Sequence, residues 1–511
     1  MQLVPVPGSQ QSCFVVHDHS GFTVTRATIH NTSYPLLRQW VVLCATTIFS
    51  LLSPPSVAAT WEIKPSLVLS ENYSTNISRA RLGQEQKDWV TQINPSLVLS
   101  IDGPKLKLVA NYHMQNSLYA ANSRMNATRH ELHATANGKL YEDMLLMDGK
   151  ASISQYNINP LGQQTFNAFN TQANRADVRT FSVSPYLRGR YKGLVNGEIR
   201  YTLGSVSSTA FGLSNNRTDS LALSASSGHS FTVLRWNLYY SKQKSTYSGF
   251  PTSINNSNYG AKFNYMITPR LSLDASTGYE KSDYVSIARP PKGASNMVGF
   301  TWAPSLRTHV DLQAGRRAYG PSLSFNVKHH SRKSLWNIAY TEDITTTQSQ
   351  FLANAGQAAP LFGPTNFLSN QVFLQKRLSA SVTVTGHRND LTFSLFESSR
   401  DAQTPQVQNL ALLGAANLAL GNRSKQRGGS ASWNSKLSPF ITSNLTAGYN
   451  RNDFLAAGIS SQDRNLMLRI TTQLQPDLSY SLSLLHNQHE SSQINFNSRE
   501  SAIAAALMMQ F

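Results

Sequence analysis

A period of two governs this chain. From Trp61 to Phe511 apolar and polar residues alternate segment after segment, with almost no stretch of helical period. Successive side chains of a strand point to opposite faces, so each such segment writes a strand with one apolar and one polar face. In Asp477 to Leu485 one face carries Leu478, Tyr480, Leu482 and Leu484, and the other Ser479, Ser481 and Ser483. The segment before it sets Leu466, Leu468, Ile470 and Leu474 against Asn465, Arg469, Thr471 and Gln473, with Met467 and Thr472 out of phase. Gln475-Pro476-Asp477 joins the two as a tight turn. Upstream, Tyr259, Ala261, Phe263, Tyr265 and Ile267 oppose Lys262 and Asn264. Thr268-Pro269-Arg270 then turns into Leu271, Leu273 and Ala275, opposed by Ser272, Asp274 and Ser276. Each pair reads as a hairpin.

A water-facing sandwich alternates too, so the polar face has to decide. Here it is mostly Ser, Thr, Asn, Gln and Gly, and only 14% of the chain is charged, too little for a sheet that shows Lys, Glu and Arg to water. The apolar face carries aromatics near segment ends, as Trp236 and Tyr240 do around Leu234 and Leu238. That placement fits the two interfacial girdles of an outer-membrane barrel.

Connection lengths point the same way. Short turns are expected at Asp102-Gly103-Pro104, Tyr141-Glu142-Asp143, Lys192-Gly193, Gly228-His229, Thr268-Pro269, Ser305-Leu306, Ser331-Arg332, His387-Arg388, Ser438-Pro439 and Gln475-Pro476. Between them fall long loops near 76–87, 120–127, 157–178, 346–369 and 400–425. Bacterial barrels have short periplasmic turns and longer extracellular loops, and the segments number about 22, even, with both termini on the short-turn side. The expectation is an all-β, transmembrane, antiparallel up-and-down β-barrel of about 18–22 strands.

The first 59 residues read as a leader, and 60–511 as the barrel. Trp40 to Leu52 is an uncharged apolar run of 13 residues after Arg38, stopped by Ser53-Pro54-Pro55. It is too short to span a bilayer as a helix, which takes about 20 residues. With Val57-Ala58-Ala59 supplying small residues, a signal peptide cleaved after Ala59 is expected. Both cysteines, Cys13 and Cys44, fall in that leader, so beyond it a disulfide framework or a cysteine-ligated zinc is excluded.

At the other end, Ser501 to Phe511 places Ile503, Ala505, Leu507, Met509 and Phe511 on one face. A terminal Phe on an alternating strand resembles the signal read by the barrel-assembly machinery, here carried by Leu507, Met509 and Phe511. The start of the barrel adds a resemblance to a family. Trp61-Glu62-Ile63-Lys64-Pro65-Ser66-Leu67-Val68-Leu69-Ser70 is echoed by Ile93-Asn94-Pro95-Ser96-Leu97-Val98-Leu99-Ser100, then come Asp102-Gly103-Pro104 and Ala110-Asn111-Tyr112. With Asp148-Gly149-Lys150-Ala151-Ser152-Ile153-Ser154 and Ser184-Pro185-Tyr186, this order resembles the PEP-CTERM system-associated outer-membrane β-barrel family, which is similar to EpsL-type proteins. The resemblance implies a Gram-negative outer-membrane protein tied to exopolysaccharide biosynthesis and export, and carries no catalytic residues with it.

The residues themselves offer little chemistry. His130-Glu131-Leu132-His133 has the wrong spacing for a zinc helix, and on a strand its two histidines face opposite ways. His329-His330 sits at an expected turn, and no P-loop, dinucleotide fingerprint or nucleophile elbow is present. No catalytic, metal or cofactor site is expected, and the protein is read as no enzyme.

Basicity remains, at a net charge of +18. Parity puts Lys107, Lys150, Arg188, Arg190, Arg200, Arg235, Lys262, Arg317 and Arg469 on the lumen wall, against Asp148, Glu198, Asp274, Glu280 and Asp311, with Tyr186 and Tyr239 beside them. Such a wall concentrates anionic solutes and repels cations. Nucleic acid is not an expected partner of a secreted barrel, whereas outer-membrane lipid, lipopolysaccharide, the barrel-assembly machinery, exopolysaccharide and its export proteins are. The expected function is exopolysaccharide passage or assembly of its export machinery. A general or anion-selective porin and an outer-membrane lipid or peptide hydrolase stand as the second and third readings.

Overall fold

The structure is a computed structural model that describes residues 59–158, 174–210, 212–248, 253–287, 291–357, 368–405, 422–492 and 497–511. The leader lies outside the described residues. Twenty-two strands follow one another from Thr60 onward. Strands β1 to β6 are Thr60–Ser74, Asp88–Asp102, Leu106–Tyr119, Ala127–Tyr141, Leu145–Asn157 and Arg175–Tyr191. Strands β7 to β12 are Val195–Ser208, Asn216–Ser227, Leu234–Tyr247, Ile254–Thr268, Leu271–Ser282 and Lys292–Ser305. Strands β13 to β17 are Thr308–Arg317, Gly320–His330, Ser334–Thr346, Val372–Thr385 and Asn389–Ala402. Strands β18 to β22 are Arg423–Lys436, Ile441–Phe454, Ile459–Gln475, Leu478–Ser491 and Ser498–Gln510. Among the described residues one short α-helix, α1, spans Thr347–Ala353.

Each strand pairs antiparallel with the next, and β1 pairs with β22 from Ser66↔Gln510 to Ser74↔Ala502, so the sheet closes on itself. Closure removes every unpaired edge, the condition for a sheet to sit in hydrocarbon. The ten expected short turns all join consecutive strands at one end. Local chemistry explains them: the Thr268 hydroxyl accepts from the amides of Arg270 and Leu271, and that of Ser438 from Phe440 and Ile441. At Lys192-Gly193 both residues take left-handed backbone, and the His229 ring occupies the place a Cβ on Gly193 would need.

Two faces follow from the register. One is a band of exposed Leu, Ile, Val and Phe, including Leu97, Phe181, Leu238, Val298, Leu395, Leu466 and Leu484. Trp61, Trp302, Trp336 and Trp433 border it toward the short turns, and Trp89 packs on Tyr73, ring centres 5.0 Å apart, toward the long loops. An apolar belt between aromatic borders faces lipid. The opposite face lines the lumen with Ser, Thr, Asn, Gln and scattered charges.

The one feature absent from the alternation is what fills the long-loop end. Residues 75–87 turn inward, and Ile77, fully buried, packs on the lumen-side Val90, Tyr119 and Ala502. Arg79 follows it in and meets Glu500 at 2.8 Å, while Glu500 also accepts from Ser74 and Asn487. Helix α1 enters as well. Thr346 caps it by accepting from the Ser349 amide, and Phe351 packs on Val178, Val206 and Leu368, its ring 4.4 Å from that of Tyr156.

Candidate functional site

Pairing places all nine sequence-assigned cations on the face that α1 touches. From Asp148↔Ser184 the register runs through Arg188↔Glu198, Glu198↔Ser224 and Ser224↔Tyr239, and so around the barrel. Lys107, Lys150, Arg188, Arg190, Arg200, Arg235, Lys262, Arg317 and Arg469 all share this lumen face, as do Asp148, Glu198, Asp274, Glu280 and Asp311. Parity was enough to find them because the register shifts of the wall fall at the short-turn ends of the strands, beyond these residues. Parity would equally have found further lumen cations that the sequence reading omitted, among them Lys64, Arg129, Lys328, Arg377, Arg400 and Lys436.

What parity could not tell is which charges neutralise one another. Arg200 lies between Asp148 at 2.7 Å and Glu198 at 3.0 Å, and Glu198 also takes Arg188 at 3.1 Å. The Tyr186 ring lies under Arg200, 3.7 Å from the guanidinium carbon to the ring centre. Higher in the wall Arg317 bridges Glu280 at 2.8 Å and Asp343 at 3.2 Å, and near the short turns Lys107 meets Asp102 at 3.1 Å. Five cations of the nine have no carboxylate within ion-pair distance among the described residues: Lys150, Arg190, Arg235, Lys262 and Arg469. Of these, Lys262 stands over the Tyr239 ring and Arg469 donates to Ser483. All five lie from the middle of their strands toward the short turns. These five thus place positive charge without a carboxylate partner in that half of the lumen.

Helix α1 closes over this region from the long-loop side. Thr346, where it leaves the wall, belongs to β15, whereas Gly356, three residues past the helix, stands against Ala134 and Thr135 of β4. β4 lies eleven steps from β15 in a ring of 22, so residues 347–356 cross the bore from one wall to the one opposite. Several contacts hold this strap. A Cβ on Gly204 would stand 3.0 Å from a Leu352 methyl, so the glycine admits the helix. Gln348 donates to the Ser214 carbonyl at 3.3 Å, and Asn370, where the chain returns to the wall, pairs with Gly212 and Ser214. Beneath the strap lies a cavity of about 320 Å³ lined by Lys150, Arg200, Asp148, Gln243 and the hydroxyls of Ser182, Ser184, Thr202 and Ser220.

A closed barrel with a lipid-facing apolar belt, aromatic borders and a hydrated bore has one home. The protein is a bacterial outer-membrane β-barrel. The short turns then face the periplasm and the long loops the outside. No family model and no curated protein matches the chain. Among solved structures the chain is similar to a mutant of the ferric enterobactin receptor PfeA from Pseudomonas aeruginosa, at 9% identity and a TM-score of 0.48, covering 88% of this chain and 80% of that one. It is also similar to OpdK from Pseudomonas aeruginosa, solved with vanillate, at 8% identity and a TM-score of 0.34, covering 88% and 99%. OccK2 (OpdF) of the same organism, in complex with glucuronate, gives 8% and 0.35 over 88% and 98%. These likenesses are of the barrel fold alone.

The remaining sequence motifs resolve as wall. His130 faces outward and pairs with the Tyr112 hydroxyl at 2.8 Å, while His133 faces the lumen beside Glu131. Leu507 and Met509 face lipid on β22, and the amide of Phe511 donates to the Pro65 carbonyl at 3.0 Å. The sequence reading missed the buried Arg79–Glu500 pair and, at the same end, His489 Nδ1 and Asp463 Oδ1, 2.7 Å apart on neighbouring strands. His489 thus hydrogen-bonds Asp463 within the buried wall, with Ser498 across from it on β22.

Proposed function

We propose that this barrel carries acidic saccharide across the outer membrane as a component of exopolysaccharide export. The observation that supports this reading most is the cluster of carboxylate-free cations in the periplasmic half of the lumen, set among hydroxyls and Tyr186 and Tyr239 and roofed by the strap. Cations in a hydrated bore raise the local concentration of anions, and aromatic rings beside hydroxyl groups suit the mixed faces of sugars. A cluster on the periplasmic side favours cargo arriving from within, and a strap across the bore suits a passage that opens only when engaged. The resemblance of the first strands to the PEP-CTERM-associated family supplies the exopolysaccharide assignment. Deleting the gene in its host should lower secreted polysaccharide while polymer accumulates in the periplasm. If both fractions stay at their normal level, the export reading is wrong.

An anion-selective porin is the second reading, favoured by one observation: the wall already neutralises Lys107, Arg188, Arg200 and Arg317 internally, leaving a modest excess of charge suited to small ions. Both readings share a prediction. Changing Arg190, Arg235 and Arg469 together to Glu should shift the permeability ratio toward cations by about tenfold, since the focused field of a narrow polar wall acts on concentration. A reversal potential in a KCl gradient that does not move would show that ions bypass this wall. The same reversal at Arg188 alone should do less, because it also disturbs Glu198 and Arg200.

A further inference from the structure

On the outward face of β18 to β22, the apolar belt ends abruptly in guanidinium groups. Arg427 of β18 and Arg451 of β19 stand directly opposite each other in the register. Like charges so placed cost stability, and they share a single carboxylate, Asp453, at 3.1 Å and 2.8 Å. One residue pair nearer the membrane, Arg464 of β20 faces Gln488 of β21, which faces Arg499 of β22. Glu490 is a second acid, 3.7 Å from Arg464 and bonded to Gln462 and Gln488. Beside them Lys425 pairs with Glu397, which stands across from Arg427, so five cations against three carboxylates leave an excess of positive charge on an exposed wall. Arg451, Arg499, Gln462, Gln488 and Glu490, with Leu82 from the inward loop, border a cavity of about 460 Å³.

Below the cluster the next outward residues are Tyr449 and Leu466 on β19 and β20 and the hydrogen-bonded His486 and Ser501 on β21 and β22, followed by Leu484 and Ile503; Tyr449, Leu466, Leu484 and Ile503 are exposed hydrophobic side chains. Positive charge over a lipid-facing apolar surface matches a molecule with an anionic head and acyl chains. Guanidinium forks suit phosphate oxygens, and amides from Gln462 and Gln488 add donors. The cluster lies at the long-loop, extracellular end, where the outer leaflet is built of lipopolysaccharide. We propose that Arg427, Arg451, Arg464 and Arg499 form a binding site for a phosphate of lipid A, whose acyl chains lie along Leu466, Leu484 and Ile503. Asp453 holds Arg427 and Arg451 side by side in advance, and a phosphate supplies the negative charge that a single carboxylate does not. This site does not depend on what the lumen carries.

The test uses the full barrel in nanodiscs of zwitterionic phospholipid doped with bisphosphorylated lipid A, with bound lipid counted by native mass spectrometry. Clustered Lys and Arg each add appreciably to binding of an anionic lipid surface, so the triple variant Arg451→Gln, Arg464→Gln, Arg499→Gln should weaken retention roughly 10- to 100-fold. Lys105→Gln, Arg307→Gln and Lys333→Gln together remove the same charge at the periplasmic turns and should leave retention within twofold. Equal loss in both variants, or no loss in the first, overturns the site. The unaltered protein gives a check that needs no variant: dephosphorylated lipid A should be retained at least tenfold less than the bisphosphorylated form. Equal retention of the two overturns recognition through phosphate. Equal retention of phosphatidylglycerol at the same dose overturns the assignment to lipid A.

Discussion

Replacing Phe351 by Ala should open the bore. Phe351 is the main apolar anchor of a seven-residue helix, too short to hold its shape by its own hydrogen bonds. It is 2% exposed, in a cluster with Val178, Val206, Ala210, Leu213 and Leu368. Truncating a buried Phe to Ala costs about 3–5 kcal/mol. Charged to the docking of the strap alone, that corresponds to a shift of roughly two to nearly four orders of magnitude between docked and released states. The wall itself is held by 22 continuous ladders and should remain folded. Planar-bilayer recordings should therefore show a larger and more persistent open conductance in the variant than in the unaltered barrel. Gly204→Leu should act in the same direction from the wall side, by denying Leu352 its place. Identical conductance in all three proteins would mean that the strap does not limit the passage.

Removing the Glu500 carboxylate should damage the extracellular mouth as severely. Arg79 and Glu500 are 4% and 1% exposed, 2.8 Å apart, and Arg79 holds a left-handed backbone conformation that a side chain adopts only when its surroundings impose it. Breaking a buried ion pair by deleting one partner costs about 3–5 kcal/mol, because the remaining charge stays desolvated. In Glu500→Ala the Arg79 charge is left inside with Ser74 and Asn487 also short of their acceptor. The loop 75–87 should then leave the mouth and become open to protease in the folded barrel. Glu500→Gln, which keeps an acceptor for Ser74, should lose less. Equal protease resistance in Glu500→Ala and the unaltered protein would contradict this account of what holds the loop.

Much of the barrel could be read directly. Leu478, Tyr480, Leu482 and Leu484 face lipid and Ser479, Ser481 and Ser483 face the lumen, as their spacing requires. The turns at Thr268-Pro269 and Ser438-Pro439 lie where Pro and hydroxyl residues interrupt the alternation. Both kinds of information are local: a period of two depends only on near neighbours, and closure follows because each hairpin can pair only with the next. Lumen cations such as Arg235 and Lys262 were legible for the same reason.

Other parts were not legible because they depend on residues far apart in the chain. That Arg200 is held by Asp148, 52 residues away, follows from β5 and β7 flanking β6 in one register, with both side chains reaching across its lumen face. That the loop after Thr346 crosses to Thr135 could not be read from Thr347–Ala353, a single helical turn or two with no strong period and only Phe351 and Leu352 to mark an apolar side. The sequence alone determined the class, the facing of nearly every strand residue and the basic character of the wall, since each is set by alternation that a strand cannot evade. Only the tertiary structure decided which charges cancel, which loops enter the bore and how far the mouth is closed, because desolvation and packing are properties of surfaces brought together from opposite sides of the ring.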